Sequence, residues 1–181
     1  MKDLIDVLLD VARIEAGAFV MRRSLEDLGE ILGEVADLFE SQAEAESIAL
    51  VVEVVPDGEG APPRARVDRD RVLQALANLV DNALRVTPSG GTITLWAREE
   101  EGGVAFGVTD TGPGVEPERI DHLFDRFWRA DGGTGGSAGL GLTIVKGVAE
   151  AHGGEATVSS PPGAGATFTL RIPGQRSEDA V

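Results

Sequence analysis

Residues 91–98, GTITLWAR, and 103–110, GVAFGVTD, are two β-branched runs separated only by the charged turn EEEG. So short a connection leaves antiparallel pairing as the way to satisfy both backbones, and it commits the chain to a sheet. Segments of helical period surround that hairpin. SLEDLGEILGEVADLFESQAEAES (24–47) and residues 69–86 repeat apolar side chains at three- and four-residue intervals. Ser24 and Asp27 are alternative caps of the first helix, and Asp68 caps the second. ERIDHLF (118–124) predicts a short helix, and GLTIVKGVAEAHGG (141–154) a longer one ended by paired glycines. FVMRR (19–23), IALVVEVV (48–55), ARVD (65–68), EATVSS (155–160) and ATFTLRIP (166–173) read as further strands, and PDGEGAPP (56–63) as a loop. Helices and a mixed or antiparallel sheet in one domain imply a two-layer α/β sandwich.

Residues 1–17 predict an amphipathic helix closed by Gly17, with Asp3, Asp6, Asp10 and Arg13 on one stripe and Leu4, Ile5, Leu8, Val11 and Ala12 opposite. Its broad apolar side wants a partner, either the following domain or a helical hairpin or coiled coil. The 181 residues suffice for one domain plus that appendage, and GQRSEDAV (174–181) predicts a frayed tail. The formal charge of −15 argues against nucleic acid and anionic membranes as general partners. With no cysteine, disulfides and thiolate metal sites are excluded, which fits a reducing, cytoplasmic setting. No run of 18 uncharged apolar residues and no signal peptide is found, so the sequence as given is expected to be soluble.

NLVDNALRVT (78–87) places two asparagines one turn apart on a helix. At about 100° per residue, Asn78, Asn82 and Arg85 fall within an arc of about 60°, while Val72, Leu76, Leu79, Val80 and Ala83 crowd the other side. Each asparagine gives up about 0.5 kcal/mol of helix propensity relative to Ala, Glu or Lys. Either the pair lies on a wet face, or it reads a ligand. A carboxamide oxygen is a neutral hard donor suited to a magnesium ion that already carries phosphates, and Arg85 could meet a phosphate directly.

Two glycine loops favour the ligand. DTGPGV (110–115) ends a strand in an acid and two glycines, so Asp110 is set to accept from a ligand N–H. From 132 to 141, GGTGGSAGLG, six of ten residues are glycine, and the run opens into a helix. Loop amides and a helix N-terminus together form an anion cradle, and a glycine-rich loop between two core elements reads as a lid over a ligand. Neither the P-loop pattern nor a complete dinucleotide fingerprint occurs, since Ile144 stands where the third glycine would be.

Taken in order, NLVDNALRVT, DTGPGV, LFDRFWR (123–129), GLGLTIVK (139–146) and GAGATFTLRIP (163–173) resemble the ATP-binding domain of bacterial two-component sensor histidine kinases, of the Bergerat ATPase fold. The resemblance covers about residues 18–173, and residues 1–17, ending ARIEAG, resemble the second helix of that family's dimerisation hairpin. It implies a mixed, mostly antiparallel sheet with helices on one face, and it implies Mg²⁺ and ATP or ADP as ligands. Asn82 would then ligate Mg²⁺, with Asn78 beside it on the phosphate side. Arg85 falls where the family usually has Lys, and Val86 where it usually has an aromatic. Asp110 would accept from the adenine amino group, Gly112 and Gly114 would shape that pocket, and Thr167 would support it. Phe124 and Phe127 would anchor the lid, Arg129 would face the γ-phosphate, and Gly139, Leu140, Gly141 and Leu142 would offer backbone amides to the phosphates.

Relatives that hydrolyse ATP, such as gyrase and the heat-shock chaperone, resemble this helix but carry Glu at the position of Asn78. A carboxylate can take a proton from water and an amide cannot, so Asn78 argues for transfer to another group. The family's acceptor histidine lies in a helix preceding residue 1, while His122 and His152 here read as structural. The expectation is therefore a kinase engine that labels a histidine in trans or on a removed segment, serves a response regulator, and pairs with its copy through residues 1–17. The parent protein can be membrane-bound. The rival readings are a Bergerat ATPase with nucleotide-driven dimerisation and a non-catalytic kinase-like binding module.

Overall fold

The computed structural model describes residues 20–55, 63–125, 139–161 and 163–174. In chain order these form β1 (Ser24–Asp27), α1 (Leu28–Ala45), β2 (Ala49–Val55), β3 (Arg64–Val67), α2 (Arg69–Val86), β4 (Thr92–Glu100), β5 (Gly103–Asp110), α3 (Pro117–Ile120), α4 (Gly141–Ala151), β6 (Glu155–Ser159) and β7 (Thr167–Pro173). The helix expected over 1–17 and the polar tail beyond Gly174 lie outside the described residues.

The predicted hairpin is the centre of the sheet. β4 and β5 pair antiparallel from Ile93 opposite Asp110 to Glu100 opposite Gly103. The five strands run β2-β4-β5-β7-β6, with β2 parallel to β4 and the remaining pairs antiparallel. β1 and β3 make a separate antiparallel pair. Alternate residues of each strand point to opposite faces, so Ile93, Leu95, Phe106, Val108, Phe168 and Leu170 go into the core beneath the helices. The helices answer with Leu28, Ile31 and Leu32 of α1, Leu76 and Leu79 of α2, and Ile144 and Val148 of α4, all nearly or fully buried. The other face carries Trp96, which lies over Gly107 so closely that a Cβ there would come within 2.1 Å of the ring. The two-layer sandwich is as expected.

Two local expectations shift. Among the described residues the first strand is Ser24–Asp27, because those residues find β3 as a partner, and helix α1 starts only after Asp27. Of the expected segment 19–23, residues 20–23 are described and are not strand. Asp27, not Ser24, is the cap, its Oδ1 accepting from the amides of Gly29 (2.8 Å) and Glu30 (3.2 Å). The segment 118–124 is helical only to Ile120. Beyond it the amides of His122 and Leu123 reach back three residues, to Arg119 and Ile120, which is the tighter turn that ends short helices.

The chain enters the domain through a buried polar knot. Asp68 caps α2 by accepting from the Arg71 amide (3.2 Å) and also accepts from the Arg22 amide (2.7 Å). His152, at the end of α4, accepts the Asp68 N–H at Nε2 (3.0 Å) and donates from Nδ1 to the Val148 carbonyl (2.8 Å). Burial holds the His152 pKa below its usual value. Arg23 adds a bond to the Ala151 carbonyl (3.0 Å). His152 is thus structural, as read from the sequence, and His122 sits exposed, hydrogen-bonded to Asp125 (2.9 Å).

Candidate functional site

The asparagine stripe of α2 runs beside the start of α4. Both asparagines are half-buried rather than out in solvent. The Asn78 Nδ2 donates to the Gln74 carbonyl one turn back (2.9 Å), which leaves Oδ1 facing Gly141, where a Cβ would lie 3.3 Å from it. Among the described residues Asn82 makes no hydrogen bond that would hold its carboxamide elsewhere. α4 begins at Gly141 after Leu140, and no side chain caps it. Its first amides therefore have no intrahelical acceptor and present the positive end of the helix dipole. Leu140 is buried, so only its backbone can serve a ligand, and Gly139 takes the left-handed conformation (φ 69°) that leads the chain into the helix. The structure thus brings Asn78, Gly139, Leu140, Gly141 and Leu142 together.

Asp110 closes the other part of the site, at the end of β5 and only 1% exposed. Its Oδ1 accepts the Gly112 amide at 2.8 Å, while Oδ2 is buried with no partner. Burial raises the Asp110 pKa, against the lowering effect of the Gly112 N–H. An orphaned buried acceptor of this kind costs about 1–3 kcal/mol, a cost that a ligand donor would offset. The neighbouring glycines are sterically required. A Cβ on Gly112 would meet Asp110 Oδ1 at 2.8 Å and the Val86 carbonyl at 2.9 Å, and Gly114 holds φ 79°.

The other expected residues divide. Phe124 packs edge-to-face on Phe168, ring centres 6.4 Å apart, beside the first turn of α4. Phe127 and Arg129 lie outside the described residues. Arg85 is half-exposed and forks onto Asp81 one turn back (2.9 and 3.2 Å). Thr167 does not face Asp110: its hydroxyl bonds Thr109 (3.0 Å), and Thr109, adjacent to Asp110 on one strand, points to the opposite face. Thr167, expected to support the adenine end, thus has its hydroxyl on the opposite face of the sheet, bonded to Thr109. Sequence reasoning missed Ser160, a buried serine just past β6 whose hydroxyl bonds both the Val115 amide (2.7 Å) and the Gly165 carbonyl (2.8 Å). The available signal was a pair of serines, Ser159 and Ser160, at a strand end before PPGAG, a place where hydroxyls bond backbone.

Among the described residues no three His, Asp or Glu side chains converge as a metal cluster, and no helix is long and apolar enough to cross a membrane.

Comparison with known proteins supplies the family. Residues 67–176 match the profile described as histidine kinase-, DNA gyrase B-, and HSP90-like ATPase. The sensor protein DivL of Caulobacter vibrioides is 38% identical over 179 residues, covering 98% of this chain and 22% of its own. The histidine protein kinase DivJ of the same organism is 37% identical, with 94% and 28% covered. The chain thus spans less than a third of either relative. Full-length ShkA, solved in complex with AMPPNP, superposes with a TM-score of 0.84 at 33% identity, covering 96% of this chain and 36% of that one. The catalytic domain of histidine kinase ThkA, nucleotide-free, gives 0.74 at 30% identity, with 85% and 97% covered. By sequence and by fold, the chain belongs to the histidine kinase-, DNA gyrase B- and HSP90-like ATPase family, on its histidine-kinase side.

Proposed function

We propose that the chain is the Mg·ATP-binding catalytic domain of a sensor histidine kinase, passing the γ-phosphoryl group of ATP to a histidine of another segment or subunit. The observation that carries the ATP reading is the unpartnered Oδ2 of Asp110, a buried acceptor suited to the 6-amino group of adenine. At the other end, the uncapped start of α4 offers amides to the phosphate chain, a local positive field in an acidic protein. Asn82 would hold Mg²⁺ through its carboxamide oxygen, alongside phosphate oxygens and water. Held there, the metal would supply neutralisation of phosphate charge. Asn78 lies against Gly141 and offers Oδ1 to the phosphate region. Arg85, once released from Asp81, and Arg129 are assigned to phosphate oxygens.

In the transfer, the bond from the γ-phosphorus to the β-γ bridging oxygen breaks, a P–N bond to the acceptor imidazole forms, and ADP departs. This domain's contribution is positioning and electrostatics. It holds no side chain at position 78 able to deprotonate water, which favours transfer over hydrolysis. The acceptor is assigned outside this sequence, because His152 is buried with both ring nitrogens bonded and His122 is tied to Asp125. Residues 1–17 are assigned to the dimerisation hairpin, and a response regulator to the next step of transfer.

The test is to incubate the chain with γ-labelled ATP and a separate dimerisation domain that bears the acceptor histidine. Acid-labile label on that domain, with none on the chain alone, is expected. Steady phosphate release without an acceptor would instead support the hydrolase reading.

A further inference from the structure

The adenine end of the site contains a hydroxyl that no part of the reaction explains. Ser160 is 8% exposed and uses its hydroxyl in both directions. Its Oγ accepts the amide of Val115, the last residue of the DTGPGV loop, at 2.7 Å, and donates to the carbonyl of Gly165 at 2.8 Å. These loops are the two that hold Asp110. The first supplies Gly112, whose amide occupies Oδ1 at 2.8 Å. The second supplies Ala166, whose carbonyl accepts the Asp110 amide at 2.9 Å. It also supplies Gly165, set so tightly that a Cβ would lie 1.9 Å from the Asp110 carbonyl oxygen. Gly114 is pressed against the same serine, since a Cβ there would stand 2.8 Å from Ser160 Oγ and 3.1 Å from the Gly165 oxygen.

We propose that Ser160 is a positioning residue for base recognition: its hydroxyl staples the 111–115 loop to the 163–166 turn and so fixes the direction in which Asp110 Oδ2 points. This rests on the reading of Asp110 as the adenine acceptor. The physical reason is a chain of constraints. The carboxylate has one oxygen bonded and one free, so its aim depends on where Gly112 and the Asp110 backbone sit. Gly112 belongs to a loop rich in glycine and proline, anchored at its far end by the Val115 amide. The Asp110 backbone leans on a turn whose two glycines, Gly163 and Gly165, have positive φ. Neither loop has a helix or strand to hold its shape here, and one hydroxyl joins them. A pre-aimed acceptor selects for a donor at position 6 of the purine, because a displaced one loses the geometry a hydrogen bond needs.

The experiment is calorimetric titration of wild type, Ser160→Ala and Ser160→Thr with ATP and with inosine triphosphate, which carries an oxygen in place of the 6-amino group. Circular dichroism on the same samples verifies folding. The wild type is expected to prefer ATP. Ser160→Ala is expected to weaken ATP by about 5- to 30-fold while changing the inosine nucleotide by less than about threefold, so that the preference shrinks. Ser160→Thr, which keeps the hydroxyl, is expected to retain most of the preference. If folded Ser160→Ala keeps the wild-type ratio, the proposal is overturned although Asp110 still reads adenine. If the wild type itself shows no preference, the reading of Asp110 fails first. Should Ser160→Ala not fold, Ser160→Cys, which preserves volume but bonds weakly, is scored by the same ratio. If neither variant folds, Ser160 serves the fold alone and the proposal is wrong.

Discussion

The substitution Asp110→Asn separates what this site gains in function from what it loses in stability. In the wild type Oδ1 is satisfied by Gly112 and Oδ2 is buried without a partner. Burial also raises the carboxyl pKa, so the ionised form is disfavoured in the empty site. The carboxamide of the variant can keep the Gly112 bond through its own oxygen and place an NH₂ where Oδ2 was, removing a buried charge at little change in volume. The NH₂ takes the same partnerless place, so the relief comes from the lost charge alone. It is less than the about 1–3 kcal/mol that an orphaned buried group costs, while a domain of this size gains about 2–4 °C of melting temperature per kcal/mol. The ligand-free variant is therefore expected to melt no lower than the wild type, and at most a few degrees higher. ATP binding should move the other way. The variant loses a hydrogen bond to a charged acceptor, worth about 1.5–3 kcal/mol, which raises Kd by about 10- to 150-fold. Inosine triphosphate, whose O6 accepts from the new NH₂, should be weakened far less. Differential scanning calorimetry and titration calorimetry read the two effects. An ATP affinity within twofold of wild type, or a ligand-free variant that melts lower, would refute the reasoning.

Three further outcomes are expected. Asn78→Glu puts a carboxylate beside Gly141, and slow ATP hydrolysis should appear in a phosphate-release assay; an unchanged rate would weaken the contrast with the hydrolysing relatives. His152 has a folded pKa below its ordinary 6.5, so its stabilising neutral form is complete above about pH 6.5 and is lost as pH falls through the depressed value. Melting curves should therefore drop below that pH, and His152→Gln should flatten the drop. Asp110 contributes with the opposite sign, favouring the fold at low pH and losing that contribution as pH rises through its raised pKa. Arg85→Ala removes an exposed one-turn ion pair, so stability should change by less than about 0.5 kcal/mol. Its ATP affinity should nevertheless fall several-fold by titration, and equal affinity would leave Arg85 to Asp81 alone.

Much of this molecule was legible in the sequence because its signals were local. The charged turn between two β-branched runs, the Asp68 cap and the apolar stripe of α2 each follow from spacing within one element, and each stands as read. Asp110 and Gly112 were legible for the same reason, since an acid and a glycine two residues apart make their bond within a single loop. What escaped depends on partners distant in the chain. Strand β1 sits later than its hydrophobic run suggests because Arg64–Val67 decides its register. Thr167 was assigned to the pocket from its place in a motif, but the two-residue period of a strand puts its hydroxyl on the other face, with Thr109. Ser160 left only a local hint, a serine past a strand end, because its partners, Val115 and Gly165, come from two different loops. The orphaned Oδ2 of Asp110 could be found only once burial was known.

The most direct test follows the amide and side-chain NH₂ signals of ¹⁵N-labelled chain by NMR while Mg²⁺ and ATP are added. The account predicts that the Gly112 amide, the amides of Gly141 and Leu142, and the Asn82 NH₂ pair shift together along one saturable curve. Saturation with those signals unmoved, or no saturation at millimolar ATP, would contradict it.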